Sequence, residues 1–327
     1  MDQWADPTLP GNGIRRAEEA QRGTSRAGAG LRVLLTGASG NIGSHVLPWL
    51  RRRGHSVRPF ALPGDDITDP AAVTRAVAGV DAVLHLAAMI PPEADERPDR
   101  ARAVNVDGTA NVIAACRARP EPPRLLFTST FDVHGRTLHR DPPRRVDDPL
   151  VATDPYTAHK IEGERLVRDS GLTWTIFRLT DVPVLGARPP HPIMFEIGLD
   201  NRIEALHADD AGLAIATALE TPEVWGRVLF LGGGVTCQVT YREYLTRLLA
   251  AMGIDPLPDG AFSDAEYVTD WVDSTESEAL LRYQRHTFDD IARAVAAGLG
   301  WRRWLASIAK PLARQRILRL SPYYRSS

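Results

Sequence analysis

Short apolar runs alternate with longer segments of helical periodicity over the first 180 residues of the chain. Apolar runs bounded by turn residues predict strands, whereas apolar positions spaced three and four apart predict helices. The predicted strands are 31–36, 56–61, 81–87, 124–129 and 173–179, and the predicted helices are 41–53, 70–78, 98–118 and 154–170. This alternation is typical of an α/β protein with a doubly wound parallel sheet that carries helices on both faces.

The connection after the second predicted strand is short. Only Leu62, Pro63, Gly64 and Asp65 separate that strand from Asp66. We therefore expect one strand or crossover of the usual sheet to be abbreviated.

Both ends of the chain differ in pattern from its centre. Residues 1–30 are rich in Gly, Pro, Arg and Glu without periodicity, which predicts a flexible N-terminal extension. Residues 301–327 contain basic and apolar residues and no acidic one, with a break at Pro311. We expect this basic amphipathic tail to pack as a terminal helix with a solvated basic face. The alternative is weak contact with an anionic membrane surface or an acidic partner.

Composition agrees with a soluble enzyme. The chain has 327 residues, 43% of them hydrophobic, which is enough for one compact body or two interleaved lobes. Its formal charge of −2 argues against nucleic acid as the main partner. Cys116 and Cys237 are expected to be buried thiols in a reducing compartment. No segment has the pattern of a signal peptide or membrane span, so we expect a cytoplasmic protein. The nine histidines show no metal-ligand spacing, and no metal is predicted.

The segment LRVLLTGASGNIG at 31–43 predicts a phosphate-binding turn. Gly37 lets the chain leave the strand sharply, Gly40 lets backbone approach a pyrophosphate, and Gly43 lets the following helix pack closely. The unpaired N–H groups of the helix N-terminus then face the phosphate oxygens. The predicted cofactor contacts of this turn are Gly37, Ser39, Gly40, Asn41, Ile42 and Gly43.

Tyr156 and Lys160 are the candidate proton-transfer pair. Their spacing places both side chains on one face of the predicted helix, one turn apart. A phenol titrates near ~10 in water and is a poor proton exchanger at neutral pH. We expect the neighbouring ammonium to lower the pKa of Tyr156 toward the working range.

Several motifs in order resemble the extended branch of the short-chain dehydrogenase/reductase superfamily, which includes NAD(P)-dependent epimerases and dehydratases. After the glycine turn with its leading Thr36, they are Asp66–Ile67, HLAA at 85–88, NVDGTANV at 105–112, LLFTSTFDVHG at 125–135, YTAHK at 156–160 and RLTDV at 178–182. The segments 206–219 and 270–291 resemble later landmarks of the same branch. The resemblance implies a Rossmann-type domain over 31–180 and a small substrate-binding lobe over 181–300, interleaved with the Rossmann core.

The resemblance also implies roles for individual residues. Thr130, Tyr156 and Lys160 form the catalytic triad, in which Thr130 binds the substrate oxygen and Lys160 also holds the nicotinamide ribose. Asn105 is either a helper at the active-site helix or a structural hydrogen-bonding residue. The expected adenine contacts are Asp66 and Ile67 on one side and Leu86, Ala87 and Ala88 on the other.

Departures from the family pattern narrow the substrate. Sugar-nucleotide dehydratases have Thr-Asp-Glu where this chain has Thr130, Phe131 and Asp132, so the acid position is Phe, although Asp132 can still contact substrate. Ile203 stands where epimerases usually carry a diphosphate-binding arginine, with Arg202 one place off. We therefore expect a smaller or more apolar carbonyl compound. The candidate pocket walls are Phe131, Met194 and Phe195, for which plain core packing is the alternative.

Cofactor choice depends on the end of the second strand. NAD enzymes usually place there an acid that binds both ribose hydroxyls, and this chain has Ala61. Arg58 or the cluster Arg51–Arg53 could bind a 2′-phosphate, so NADP is expected over NAD. The alternative for these arginines is a solvated helix end.

Taken together, the sequence predicts an NAD(P)-dependent oxidoreductase that moves hydride between nicotinamide and the carbonyl or secondary alcohol of a small metabolite. One alternative is an NDP-sugar epimerase with tightly bound NAD. Another is a cofactor-binding scaffold without turnover. By resemblance, the helices at 98–118 and 154–170 are expected to form the interface of a homodimer.

Overall fold

Six parallel strands form the central sheet of the computed structural model, which describes residues 30–186, 190–300 and 310–324. The strand order is β2-β1-β3-β4-β5-β7, and every neighbouring pair is parallel. The strands are β1 Arg32–Thr36, β2 Ser56–Phe60, β3 Ala82–His85, β4 Arg124–Thr130, β5 Trp174–Leu179 and β7 Val228–Leu231. The predicted α/β class and doubly wound sheet are confirmed.

Helices cover both faces of this sheet. In chain order they are α1 Gly43–Arg52, α2 Pro70–Val77, α3 Glu93–Glu96, α4 Pro98–Arg102, α5 Gly108–Arg117, α6 Pro155–Arg168, α7 Ala208–Ala218, α8 Tyr241–Ala251, α9 Thr275–Leu281, α10 Phe288–Gly298 and α11 Lys310–Leu318. Val33 and Leu35 of β1 pack in one apolar cluster with α1 and α7. Leu34 packs in the opposite cluster with α2, α5 and α6. The alternation of side chains along a strand therefore supplies both layers of the core.

Strand β2 is the first strand in the sheet order and pairs with β1, so it forms an edge of the sheet. Within the described chain no strand lies between β2 and α2, so the expected abbreviation is present. Pro59 occupies a position in β2. A proline without an N–H group is tolerated there because an edge strand leaves one side unpaired.

The predicted helix at 98–118 is interrupted. A π-helical turn, Ala103–Asp107, separates α4 from α5 and contains the buried Asn105. The side chain of Asn105 accepts from N–H of Met89 at 2.7 Å and donates to its carbonyl at 2.9 Å. The widened turn thus holds the segment that follows β3.

A third apolar cluster lies outside the large sheet. The antiparallel pair β6 Arg202–Glu204 and β8 Gln238–Thr240 packs with α8, α10 and α11 in this smaller lobe. Strand β7 lies between β6 and β8 in sequence but belongs to the large sheet, so the chain passes between the two parts.

Part of the basic tail packs on the smaller lobe. Ile317 and Leu318 of α11 are buried there, whereas Leu312 is exposed. The expectations for residues 1–29, 301–309 and 325–327 lie outside the described residues. None of the described helices is long and apolar enough to span a bilayer.

A buried ion pair joins β5 to α6. Arg178 and Glu164 are 1% and 2% exposed, and two hydrogen bonds of 2.8 and 2.7 Å connect the guanidinium to the carboxylate. Arg178 also donates to the carbonyl of Val146 at 2.7 Å and contacts Nε2 of His134 at 3.0 Å. Burial and the charge of Arg178 lower the pKa of His134 to about 4, so its neutral ring can accept this bond.

We predict that Glu164→Gln destabilises the fold by about 3 kcal/mol, because it leaves the Arg178 cation buried without its counter-charge. Urea unfolding monitored by circular dichroism measures the change. The matched control is Asp169→Asn, which removes the carboxylate of the exposed pair with Arg165. That pair should contribute less than about 1 kcal/mol.

The same pair predicts a dependence on pH. Burial alone would raise the pKa of Glu164, but hydrogen bonds and charge from Arg178 outweigh it and hold that pKa below its usual value. The contribution of Glu164 is therefore complete above its unfolded pKa of about 4.3 and is lost as the pH falls through the folded pKa. Equal losses of stability in the Gln variant and the control would contradict the assignment.

Candidate active site

The loops that carry the predicted site residues meet at one edge of the sheet. The glycine turn follows β1, residues 86–88 follow β3, and Thr130 ends β4. Because these strands are parallel, their carboxyl ends lie at the same edge, where α/β proteins bind ligands. The structure therefore brings together the three groups that the sequence places far apart.

The three glycines of the turn differ in how much space a Cβ atom would have at each position. Gly37 has a φ of +69°, and a Cβ there would lie 2.8 Å from the backbone N of Ala87. A Cβ on Gly43 would overlap the carbonyl oxygen of Gly37. At Gly40 the nearest atom to such a Cβ is that same oxygen, at 3.2 Å. The fold itself thus requires glycine at 37 and 43, whereas a Cβ at 40 would make one tight contact with a backbone oxygen.

Helix α1 begins directly behind this turn. Its N-cap residue, Ile42, makes no side-chain capping bond, and its first turn contains no acidic residue. N–H of Ser44 donates to the carbonyl of Gly40 and N–H of His45 to that of Ile42, so the positive end of the helix dipole is what suits an anion such as a pyrophosphate here. Asn41 is held differently, since its amide donates to the carbonyl of Val182 at 3.0 Å.

Thr36 fixes the neighbouring loop. Its hydroxyl accepts from N–H of Leu86 at 3.1 Å and of Ala87 at 3.2 Å, and contacts Nδ1 of His85 at 2.8 Å. Burial and the charge of Lys160 lower the pKa of His85 to about 3, so this histidine is a neutral structural residue. The sequence singled out Thr36 only as part of the motif and gave no sign of its contact with His85.

The expected adenine contacts have partners of their own. Asp66 accepts from N–H of Thr68 and pairs with Arg100 at 2.7 Å. Hydrogen bonds from Arg100 and Thr68 lower the pKa of Asp66. Ile67 is buried, with its side chain against Gly108. Arg100 is a residue that sequence reasoning missed, because nothing in a local pattern reveals a partner 34 positions away.

Arg58 does not lie free for a 2′-phosphate. Its guanidinium donates to the carbonyl of Arg75 at 2.8 Å, near the end of α2. A partner of this kind satisfies a carbonyl that the helix end leaves unpaired. In the neighbouring cluster, Arg53 pairs with Glu220 and donates to Thr217.

The three triad residues lie at the ends of β4 and α6. Asp154 and Thr157 form a capping box at the start of α6, and Pro155 occupies its first turn, which fixes where the helix begins. Lys160 is buried and donates to the carbonyl of Thr128 at 2.9 Å. Its ammonium lies 5.9 Å from the ring centroid of the half-buried Tyr156.

The expected lowering of the pKa of Tyr156 is not found. Burial, followed by the nearby charges of Asp132 and Asp154, raises that pKa above its ordinary value. Burial likewise lowers the pKa of Lys160 to about 8. The expectation considered only Lys160, whereas desolvation of the phenol and two carboxylates act in the opposite direction.

The three predicted pocket walls belong to packed clusters. Phe131 is buried against Phe230, with ring centroids 6.0 Å apart. Phe195 is fully buried against Phe262, and Met194 packs on the same cluster. The structure therefore fits the alternative prediction, that these three residues belong to the core. The sequence could not distinguish the two, because an apolar residue in a short 3₁₀ turn suits a pocket wall as well as a core.

Asp132, by contrast, is half-buried beside the triad. Its peptide N–H donates to the hydroxyl of Thr130 at 3.3 Å. Burial, reinforced by Asp154 and Asp181, raises the pKa of its carboxyl to about 7.

Arg202 is tied into the structure of the smaller lobe. Its guanidinium pairs with the buried Asp270 at 2.5 and 2.9 Å and donates to the carbonyls of Thr137 and Arg140. Ile203 is buried. Neither residue is thus placed to bind a diphosphate.

His207, Asp210 and His286 come together although their sequence spacing predicts no metal site, and their possible ligand atoms lie within 4.8 Å of one another. The rings of His207 and His286 are stacked, with centroids 3.9 Å apart and planes 13° from parallel. Nδ1 of His207 accepts from N–H of Asp209, and Nδ1 of His286 lies 2.6 Å from Asp210. Nδ1 of both rings and the carboxylate of Asp210 thus already make contacts that cap α7 and hold residues 285–286.

The fold and this edge define a dinucleotide-binding protein of the Rossmann type with a Thr, Tyr and Lys site. The model of the NAD dependent epimerase/dehydratase family matches residues 33–195. A 2-alkyl-3-oxoalkanoate reductase of Stenotrophomonas maltophilia is 32% identical over 267 residues, which cover 71% of this chain and 79% of that protein. The chain belongs to the NAD-dependent epimerase/dehydratase family.

Other relatives match less completely. The dTDP-4-dehydrorhamnose reductase of Mycolicibacterium smegmatis is 36% identical over 168 residues, and the chain spans 47% of its length. Among solved structures, a short-chain dehydrogenase/reductase superfamily protein from Agrobacterium tumefaciens with bound NAD has a TM-score of 0.68 at 23% identity, covering 86% of this chain and all (100%) of that one. RMD from Pseudomonas aeruginosa complexed with NADPH has a TM-score of 0.69 at 21% identity, covering 82% and 98%. These structures support the fold.

Gly40→Ala and Gly43→Ala should behave differently. The Cβ at 43 meets backbone, so we expect that variant to lose about 1–3 kcal/mol of stability, the usual range for overpacking. The Cβ at 40 enters the space beside the turn, so that variant should keep most of its stability but bind NAD(P)H at least about tenfold more weakly, about 1.4 kcal/mol. Thermal unfolding and titration calorimetry separate the two effects. Unchanged dinucleotide affinity in folded Gly40→Ala would place the phosphate elsewhere.

Proposed function

We propose that this protein is an NAD(P)-dependent oxidoreductase that transfers hydride between nicotinamide and the carbonyl or secondary alcohol of a small metabolite. The observation that carries the proposal is the meeting of the glycine turn with Thr130, Tyr156 and Lys160 at one edge of the sheet. The S. maltophilia relative, by name a reductase of 2-alkyl-3-oxoalkanoates, supports the same class of substrate.

The residues at this edge fit a nicotinamide dinucleotide. The space beside Gly40 and the uncapped start of α1 suit its pyrophosphate. Asp66 would accept from the adenine amine, Leu86, Ala87 and Ala88 would form the facing wall, and Lys160 would hold the nicotinamide ribose. When bound in its reduced form, the cofactor supplies a hydride to the carbonyl carbon.

We propose NADP in preference to NAD, and the main support is the residue that follows β2, not the arginines. Ala61 provides no carboxylate to repel a 2′-phosphate. One guanidinium nitrogen of Arg58 already donates to the carbonyl of Arg75. The solved neighbours include one protein with NAD and one with NADPH, so both cofactors belong in the binding assay.

The raised pKa of Tyr156 fits the protonated form that a proton donor in carbonyl reduction needs. With its raised pKa, Tyr156 carries its proton at neutral pH and can give it to the substrate oxygen as hydride arrives at the carbon. The hydroxyl of Thr130 would bind the same oxygen. Oxidation of an alcohol would require Tyr156 to be deprotonated first, which the nearby Asp132 and Asp154 oppose.

The substrate is proposed to be small rather than a nucleotide sugar, because Arg202 is occupied by Asp270. A sugar-nucleotide epimerase remains the second candidate, since it would use the same triad with no net change in cofactor. Consumption of added NADPH or NADH with a carbonyl panel, followed at 340 nm, distinguishes the two. A scaffold without turnover would bind cofactor and leave the whole panel unchanged.

We also propose a cytoplasmic homodimer. The two cysteines are free and buried, as suits a reducing compartment. Helices α4, α5 and α6 lie together, joined in part by the ion pair of Arg102 with Glu162. Light scattering of the purified chain measures its oligomeric state.

Tyr156→Phe tests the enzyme proposal. The ring remains and the exchangeable proton is lost, so turnover should fall at least about 100-fold while NAD(P)H still binds. Thr130→Val should lower turnover with little change in cofactor affinity. Lys160→Met should reduce both turnover and cofactor affinity.

Tyr324→Phe is the matched control for this test, because Tyr324 is exposed on the smaller lobe. Its turnover should equal that of the unmodified chain. Wild-type turnover in Tyr156→Phe would refute the proton-donor assignment.

A further inference from the structure

We propose that Tyr244 is a positioning residue of the site, whose hydroxyl fastens the smaller lobe to Asp181 after β5 and so fixes the spacing between that lobe and the triad. The inference rests on the proposed function, because it concerns how a substrate is held in the same cleft. Tyr244 lies on α8, outside every motif that the sequence singled out.

Asp181 is the residue at which the large sheet meets the small one. It lies just after β5, and its backbone forms a parallel bridge with Ala205, which follows β6. The N–H of Asp181 donates to the carbonyl of Glu204 at 3.2 Å, and its carbonyl accepts from N–H of Leu206 at 2.7 Å. The backbone of this residue therefore has a fixed place at the junction of the two lobes.

The same junction borders the proposed cleft. Leu179 of β5 pairs with Thr130 of β4, so the chain reaches Asp181 just beyond the level of Thr130. On the other side, the amide of Asn41 in the glycine turn donates to the carbonyl of Val182 at 3.0 Å. A displacement of Asp181 would consequently be felt beside the proposed cofactor and the proposed substrate.

Tyr244 reaches this junction from the smaller lobe. Its hydroxyl donates to Oδ2 of Asp181 at 2.7 Å, across 63 positions of sequence. A phenol that donates to a carboxylate makes a charge-assisted hydrogen bond, which is shorter and stronger than one between neutral groups. The bond connects a side chain of α8 to a residue that is anchored on the large sheet, so it links the two lobes directly.

The ring of Tyr244 is held in place by other aromatic rings. Its centroid lies 5.4 Å from that of Phe288 on α10 and 6.0 Å from that of Tyr241 on α8. The capping box of Thr240 and Glu243 fixes the start of α8. The phenol thus acts as a rigid strut, because packing on two sides restricts the torsions of its side chain.

The bond acts on the site through position rather than chemistry. Helix α8 packs with β6, β8 and α10 in one apolar cluster, so the smaller lobe and Tyr244 move together. Without the hydroxyl, the lobe would keep the backbone bridge at Asp181 but would be free to tilt about it, because a bridge of one residue resembles a hinge. A cleft of variable width would hold a small substrate less well.

The test compares Tyr244→Phe with Tyr241→Phe, since each variant loses one hydroxyl from the same helix. The hydroxyl of Tyr241 donates to the carbonyl of Met194 at 3.0 Å, within the smaller lobe, so Tyr241→Phe is the matched control. With saturating NADPH and ethyl acetoacetate as the probe, Tyr244→Phe should raise KM about tenfold and leave kcat within about twofold, the pattern of lost uniform binding. Tyr241→Phe should leave KM within about twofold, and an equal rise in both variants would overturn the proposal.

Substitutions of Asp181 identify the acceptor. Asp181→Asn keeps a side-chain oxygen that can accept from the phenol, so it should retain KM within about threefold. Asp181→Ala removes the acceptor and should raise KM about as much as Tyr244→Phe does. If both residues act through one bond, the double variant should have the KM of a single variant. Effects that multiply in the double variant would contradict the assignment.

A readout without substrate separates this proposal from the proposed function. The amides of Asp181 and Leu206 form the backbone bridge between the lobes. Hydrogen exchange followed by NMR should be at least about fivefold faster at both amides in Tyr244→Phe and unchanged in Tyr241→Phe. Unchanged exchange in Tyr244→Phe would refute the positioning role even if the chain reduces carbonyls. Faster exchange together with no turnover of any panel compound would refute the oxidoreductase and leave the link between the lobes established.

Discussion

The buried ion pair between Arg178 and Glu164 is the interaction on which the geometry of the site depends. Glu164 lies one turn after Lys160 on α6, and Arg178 lies on β5. Their two hydrogen bonds fix the rotation and height of α6 against the sheet. Lys160 consequently reaches the carbonyl of Thr128 on the neighbouring strand. A helix held only by apolar contacts could slide, and the proposed proton-transfer residues, Tyr156 and Lys160, would move with it.

The same pair shapes the electrostatics of the cleft. Glu164 raises the pKa of Lys160 and so opposes the desolvation that lowers it to about 8. Arg178 keeps Glu164 ionised, which makes this support available at neutral pH. Toward the cleft, the carboxyl of Asp132 also supports the charge on Lys160. The ammonium therefore remains charged near pH 7 although it is buried.

Much of the fold could be predicted because its signals are local. Each strand of the first 180 residues begins and ends within two residues of the predicted bounds, since apolar runs and turn residues mark them directly. Tyr156 and Lys160 share a helix face by spacing alone. Their meeting with the glycine turn follows from the parallel sheet, because the carboxyl ends of parallel strands share an edge.

Features that depend on distant partners could not be predicted. The π-helical turn around Asn105 has no signal in the periodicity, and the contact of Asp66 with Arg100 joins separate elements. The pKa of Tyr156 was expected to move in the wrong direction, because its burial and the charge of Asp132 arise only in three dimensions. Phe195 shows the same limit, since an apolar residue in a loop fits a pocket wall and a core equally well.

The arrangement of the smaller lobe bears on what the site can recognise. Arg202 binds Asp270, and Asp270 also accepts from Thr137, so this arginine holds the 137–140 loop against β6. A group fixed in this way cannot move to a substrate diphosphate without opening the lobe. In the proposed function, recognition would then rest on polar groups at the sheet edge, among them Thr130, Asp132 and Tyr156. The proposed small carbonyl substrate needs only groups of this kind, because it has no diphosphate to bind.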